Sequence, residues 1–463
     1  MEGTRIGAVM GEIRGRIAAR GLSAGERLPS IRRLAATLSV SPSTVVEAYD
    51  RLAATGLIVS RPGSGFYVAG APVQAAPDAE RPRPRREIDP FWVSRQSLDA
   101  PAGALSPGCG WLPADWLPEA ALRRAIRALA RGEDALLGDY GPARGSPGLR
   151  RLLARQMAGE GIAAGADDIL LTGSGTQALD LLCRLLLQPG DTVLVDDPCY
   201  FNFLALLRVH RVRVVGVPHR PGGPDVALFA EAVAAHRPRL YVTNSAVHNP
   251  TGATLSPQTA HRVLSIAAAE DVAIVEDDIF ADFEPEPSPR LAALDGLSRV
   301  LRIGSFSKTL SASIRCGYIA ARPDLVEALV DLQVATSFGG PSPAAAAIVE
   351  GALFDGSYRK HLGQLRARLD RRRREVAVRL ETLGIRPWLM PRGGFHLWCR
   401  LPEGRDAGAL ARASLRHGVL LAPGDVFSAG RSAGAFMRFN VAQTDERAIA
   451  VLRRVLEEGD EGP

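Results

Sequence analysis

Lys308 is one of only two lysines among 56 Lys and Arg residues; the other is Lys360. Arginine stays protonated at working pH, whereas a desolvated lysine can lose its proton and attack a carbonyl carbon. Ser305, Ser307 and Arg315 lie within seven residues of it and are groups suited to holding a phosphate. An imine-forming amine beside an anion site points to pyridoxal phosphate (PLP). The alternative for the stretch Ile303–Tyr318 is a surface lysine next to a serine-rich turn.

Other residues with chemistry precede and follow Lys308 at intervals. The run Thr172-Gly173-Ser174-Gly175-Thr176-Gln177 reads as a turn between a strand and a helix, where exposed N–H groups favour an anion; a plain tight turn is the other meaning. In Asp197-Pro198-Cys199-Tyr200 the aromatic either stacks on a planar ring or packs in the core. Asn249, in His248-Asn249-Pro250-Thr251-Gly252, offers an amide to a cofactor oxygen or shapes a turn. Glu276-Asp277-Asp278 ends an apolar run, and a carboxylate there needs a cation. A protonated ring nitrogen and a structural ion pair both qualify. Arg438, flanked by Phe436 and Phe439, could clamp a carboxylate bidentately.

The elements that must position these groups follow from periodicity. Residues 169–172, 192–195, 212–217, 240–244, 272–276, 300–303 and 317–320 read as short apolar strands, with helices at 177–187, 228–236 and 258–270 between several of them. This predicts an α/β domain with a mostly parallel central sheet, whose ligands sit at the carboxyl ends of the strands. Beyond residue 322 the pattern changes. A long helix over 357–383, strands over 390–401, 419–421 and 436–441, and a closing helix over 445–458 predict a smaller α+β lid. The run Arg371–Arg374 is most simply a solvated basic face.

The first 69 residues form another module. Ile6, Val9, Ile13 and Ile17 repeat at helical spacing. A second short helix over 30–38, with Ser30 as its cap, and a third running to about Ala54 flank the tight turn Leu38-Ser39-Val40. That is the helix-turn-helix pattern. Strands over 56–60 and 66–68 around Arg61-Pro62-Gly63-Ser64-Gly65 predict a wing. Nine arginines against five acids over residues 1–70 favour an anionic partner. Residues 70–90, rich in Pro and Ala, predict an extended spacer, leaving 91–463 as the larger domain.

Composition bounds the rest. Of 463 residues 46% are apolar and 23% charged, with a net charge of +6, as expected for soluble globular domains and not for a polycation. Five scattered cysteines without a CxxC pair predict reduced thiols in a cytoplasmic protein, and no metal site is expected. Neither a signal peptide nor an apolar run long enough to span a membrane is found.

The segment GERLPSIRRLAATLSVSPSTVVEAYDRLAATGLIVSRPGSGFYVA resembles the GntR-family winged helix over about Arg5–Ala69. The resemblance implies that Arg32, Ser41, Ser43, Thr44 and Gly65 contact double-stranded DNA; Pro42 departs from the pattern, which puts one contact in question. The ordered series from the phosphate turn to Arg438 resembles the fold-type I PLP-dependent aminotransferases over about Pro107–Glu458. That likeness implies that Lys308 carries the internal aldimine, Asp277 pairs with the pyridine nitrogen, Asn249 bonds the phenolic oxygen and Tyr200 stacks on the ring. It implies further that Gly175, Thr176, Ser305, Ser307 and Arg315 hold the phosphate and Arg438 the substrate carboxylate. Tyr140, in DYGPARG, resembles the tyrosine that reaches a neighbouring subunit's phosphate. Ile279 and Phe280 stand where the family usually places a further tyrosine, so the cofactor loses one hydrogen bond.

Both modules in one chain resemble the MocR family of transcription regulators. The resemblance implies a head-to-tail homodimer that senses PLP, an amino acid or an amine. The competing reading is an active aminotransferase working on an amino acid and a 2-keto acid. A third is a DNA-binding module on a domain that binds nothing.

Overall fold

Helix α1 (Arg5–Ala18) turns Val9 and Ile13 inward. Helix α2 (Ile31–Leu38) starts where the Ser30 hydroxyl accepts from Arg33 N at 3.3 Å and ends at Ser39 in the left-handed region. Helix α3 (Pro42–Ala54) opens with Pro42 in its first turn, where no amide hydrogen is missed. It buries Val45, Ala48, Tyr49 and Leu52, each large apolar side chain contributing about 1.5–3 kcal/mol. The wing is the antiparallel pair β1 (Ile58–Arg61) and β2 (Gly65–Val68), with Arg61 opposite Gly65. The sequence-predicted winged helix is therefore present.

The computed structural model describes residues 5–19, 21–69, 88–101, 103–132, 135–354 and 356–458. The chain falls into two units, residues 1–86 and 87–463. Most of the expected linker lies outside the described residues. Ile88 and Asp89 lead into a helix that the sequence pattern did not announce, α4 (Pro90–Leu98), where the Asp89 side chain accepts from Trp92 N at 2.7 Å.

The second unit is built on an eight-stranded sheet. Its strands are β3 (Ile169–Thr172), β4 (Thr192–Asp197), β5 (Arg213–Arg220), β6 (Gly223–Pro224), β7 (Leu240–Thr243), β8 (Ala273–Asp277), β9 (Val300–Ser305) and β10 (Gly317–Ala320). They lie in the order β3-β10-β9-β8-β7-β4-β5-β6. The five central strands β9, β8, β7, β4 and β5 run parallel, while β10 is antiparallel to both neighbours. Strands β3, β7 and β10 are buried along their whole length, as expected of a sheet covered on both faces. The carboxyl ends of β4, β7 and β9 lead into the segments that carry Tyr200, Asn249 and Lys308, and Asp277 is the last residue of β8.

A second, antiparallel sheet joins β11 (Arg386–Pro387), β12 (His396–Arg400), β13 (Ala422–Pro423) and β14 (Phe436–Asn440) in the order β11-β12-β14-β13. It shares a core with the helices Ser357–Glu381 and Glu446–Glu458. The strand expected from residue 390 starts only at His396. A Cβ on Gly393 would stand 2.4 Å from Phe283 O, and Gly394 has φ +74°, so the chain turns there before extending. The strand expected over 419–421 is displaced to β13, because Val419 forms a parallel bridge with Leu105. The helix Pro323–Ser337, within the expected lid, packs on β3 and the helix Gly175–Leu186 of the large sheet layer.

Candidate functional site

The helix Gly175–Leu186 begins at Ser174, whose hydroxyl accepts from Gln177 N at 3.0 Å. Gly317 on β10 makes this placement possible. A Cβ there would lie 2.7 Å from Ser174 C and 2.9 Å from Gly175 N. Ser305 Oγ, at the end of β9, donates to Cys316 O at 3.1 Å and lies 3.0 Å from Ser307 Oγ. Arg315 is exposed, has φ +52°, and makes no ion pair among the described residues. Helix N–H groups, hydroxyls and an uncommitted guanidinium converge as an anion cradle.

Asp277 closes β8 and is 7% exposed. Its Oδ1 accepts from Ile279 N at 3.1 Å, and its backbone oxygen accepts from Asn244 Nδ2 at 2.9 Å. Burial without an ion-pair partner raises its carboxyl to about 7. Alternation along the strand turns the next carboxylate elsewhere: Asp278 meets Arg290 at 2.9 Å and Arg302, in a buried ion-pair network. The ion-pair meaning read for the Glu276-Asp277-Asp278 run is realised on Asp278. Asp277 is the one left wanting a cation.

Lys308 is half-buried, and its Nζ donates to Gly110 O at 2.6 Å. Withdrawal of the amine from solvent is the largest influence lowering its pKa, to about 8, with Arg438 adding to it. Arg438 is fully buried. Its Nη1 donates to Asn249 Oδ1 at 2.9 Å and its Nη2 to Gly108 O at 2.7 Å, while Nε has no hydrogen-bond partner. Its guanidinium lies 4.8 Å from the Phe427 ring centre and 5.7 Å from that of Phe201. No acid among the described residues pairs with it, and burial lowers its pKa to about 10. A Cβ on Gly110 would stand 3.6 Å from Arg438 Nη2 and 4.0 Å from Lys308 Nζ, so amine and guanidinium face the same glycine.

Residues 108–111 are the part that sequence reasoning missed. Four successive carbonyls are committed: Gly108 to Arg438, Cys109 to Asn440 at 3.0 Å, Gly110 to Lys308, and Trp111 to Asn440 at 2.7 Å. The glycines on either side of Cys109 were the available signal. Asn244 was also missed, and its Oδ1 is buried without a partner.

Lys308, Asp277, Asn249, Tyr200, Gly175, Thr176, Ser307 and Arg315 line one cavity of about 340 Å³, together with Asn244 and Trp111. Ser305 adjoins it through Ser307, and Arg438 through Asn249. Tyr140 is not brought there. It is exposed, stands edge-on to the exposed Phe338 with ring centres 4.9 Å apart, and lines a separate groove. The donor set suits PLP: one cavity is lined by an anion cradle, a buried carboxylate without an ion-pair partner among the described residues that would suit a protonated ring nitrogen, and a neutralisable amine. A further buried group, Asp196, His219 and His248, does not line the cavity. Its two imidazoles are stacked 4.0 Å apart at 20°, so one ion cannot lie in the plane of both rings.

In the first unit Ser41 caps α3, accepting from Thr44 N at 3.2 Å and lying 2.8 Å from both Ser43 Oγ and Thr44 Oγ1. Arg32, Ser41 and Ser43 are exposed. Gly65 has φ +104°, a conformation that favours glycine, and Arg61 lies over the Tyr67 ring at 4.3 Å.

Residues 6–68 match the bacterial regulatory proteins of the gntR family, and residues 113–456 match aminotransferase class I and II. The HTH-type transcriptional regulator YdcR of Escherichia coli (strain K12) is 30% identical over 96% of this chain and 98% of its own length. The chain belongs to the MocR family of transcription regulators. A second relative, the HTH-type transcriptional regulator YjiR of the same organism, is 30% identical over 90% of each chain. The larger domain of this MocR protein is similar to the crystal structure of LysN, the α-aminoadipate aminotransferase of Thermus thermophilus, complexed with N-(5'-phosphopyridoxyl)-L-leucine. The TM-score is 0.72 at 26% identity, covering 79% of this chain and 94% of that one. As a MocR regulator with a gntR-type module, the protein binds DNA. No helix among the described residues is long and apolar enough to cross a membrane.

Proposed function

We propose that the protein is a cytoplasmic, homodimeric, PLP-dependent regulator whose DNA binding responds to an amino acid or amine effector. PLP, when bound, supplies an aldehyde that condenses reversibly with amines. Lys308 holds it and gives way to the effector's amine. Its lowered pKa keeps a useful fraction of the amine neutral near pH 8. Asp277 keeps the ring nitrogen protonated, Asn249 donates to the phenolic oxygen and Tyr200 covers the ring. Gly175, Thr176, Ser305, Ser307 and Arg315 hold the phosphate, and Tyr140 reaches the site of a partner subunit. In the first unit, Arg32, Ser41, Ser43, Thr44 and Gly65 face the operator.

The observation that carries the effector reading is Arg438, a fully buried cation with no acid to pair with among the described residues. A buried charge without a partner is costly, and a ligand carboxylate removes that cost. An effector shifts the DNA-binding equilibrium only through a difference in affinity between two arrangements. The near-complete catalytic set favours a second reading, turnover, in which the Lys308 amine moves the proton of the substrate Cα.

The test joins spectroscopy to DNA binding. Lys308→Ala should lose the absorbance of the lysine-bound cofactor and the response of operator affinity to an amino acid panel. An unaltered response in that variant overturns the proposal. Turnover of the panel with a keto acid acceptor at saturating PLP decides for the enzyme reading.

A further inference from the structure

The charged side chains at the cavity all have a duty under the function proposed above, on which this inference rests. Asp277 serves the ring nitrogen, Arg315 the phosphate, Lys308 the amine exchange and Arg438 the carboxylate. Among the described residues that line the cavity, no acid or base is left over. The wall not assigned to the cofactor includes Leu98, Trp111, Ile279 and Phe280. Leu98 is the last residue of α4 and is 77% exposed, a large apolar side chain left in water where it lines the cavity. Trp111 directly follows the glycine that both Lys308 and Arg438 face. Ile279 has no hydroxyl to offer, although it follows the cofactor acid by only two residues.

We infer that the effector is an α-amino acid with an uncharged, apolar side chain, held against Leu98, Trp111, Ile279 and Phe280. Arg438 grips its carboxylate while its side chain leaves water for this wall. A charged side chain in the same place gives up hydration and meets no counter-charge. An apolar one gains with each methylene buried, and in apolar pockets one methylene changes affinity roughly 10-fold or more. Discrimination is therefore strong against acidic and basic amino acids and weak among neutral ones of similar size.

The experiment uses the full chain loaded with PLP, titrated separately with L-leucine, L-phenylalanine, L-aspartate and L-lysine while the cofactor spectrum is followed. Leucine and phenylalanine should reach half-saturation at concentrations at least tenfold below those of aspartate and lysine. Ile279→Lys should narrow or reverse the gap for aspartate. Aspartate or lysine binding as tightly as leucine in the unsubstituted protein overturns the inference, as does silence towards both apolar amino acids in a protein that visibly holds PLP. Failure to bind PLP at all is distinguishable from these results and removes the functional reading itself.

Discussion

Arg438 and Asn249 are joined side chain to side chain, with Nη1 donating to Oδ1 at 2.9 Å. The bond occupies the Asn249 oxygen and leaves its NH2 group for another acceptor. A carboxylate in place of the amide would give Arg438 a permanent counter-ion. Asn249→Asp should therefore weaken binding of an effector amino acid by at least about 10-fold, because the internal ion pair competes with the ligand. Arg438→Met should abolish that binding yet change stability by about 1 kcal/mol or less, since it removes a buried charge that no acid balances. Spectral titration and urea unfolding of both variants check the pair.

Asp277 makes folding depend on pH. Its carboxyl is raised to about 7 from an ordinary 3.8 by burial. The folded state thus holds a proton that the unfolded chain has released, and its ionisation destabilises the fold. The penalty is absent below pH 3.8, grows as pH rises towards 7, and is then constant, at a size on the order of 4 kcal/mol. In cofactor-free protein, Asp277→Asn should remove that part of the pH dependence. Bound PLP should suppress it too, by supplying the missing cation. Unfolding free energies of the two proteins from about pH 4 to 8, with and without PLP, measure the difference.

Gly317 tests the anion cradle without touching a ligand group. All three near neighbours of an added methyl are backbone atoms, at 2.7 to 2.9 Å, so no side chain can swing aside. Gly317→Ala should force the start of the helix Gly175–Leu186 away from β10. The expected cost is about 1–3 kcal/mol of stability, with PLP affinity falling about 10-fold or more. Thermal melts and equilibrium dialysis of PLP report the two effects.

Arg32, exposed at the start of α2, is expected to neutralise a phosphate and not to read a base. Arg32→Ala should weaken binding to operator and to unrelated DNA alike, and reduce the slope of log affinity against log salt by about one. Fluorescence anisotropy at several salt concentrations checks it.

The sequence disclosed the groups that carry their chemistry in a side chain. Lys308, Asp277, Asn249 and Tyr200 follow apolar strands, and a parallel sheet brings strand ends together, so they meet in one cavity. What escaped is chemistry on the backbone. The carbonyls of residues 108–111 have no residue-type signature, and their importance appears only once β14 delivers Arg438 and Asn440 to them. The lid's outline also shifted. The helix Pro323–Ser337 buries Val326, Leu329, Val330 and Gln333, residue types that do not tell which sheet layer receives them. Tyr140 is a different case: its exposed ring does not line the cavity of its own chain, and the role proposed for it requires a neighbouring copy.

The two lysines differ in a way that makes the protein chemically addressable. Lys308 is half-buried against Gly110, while Lys360 is exposed on the helix Ser357–Glu381. An acylating reagent in water should meet Lys360 first, whereas borohydride reduction of the PLP-loaded protein should mark Lys308 under the proposed function. Arg315, Arg322 and Arg359 separate the two positions, so cleavage at arginine leaves them on different peptides. Cofactor occupancy and surface accessibility can then be read as two independent mass shifts from one digest.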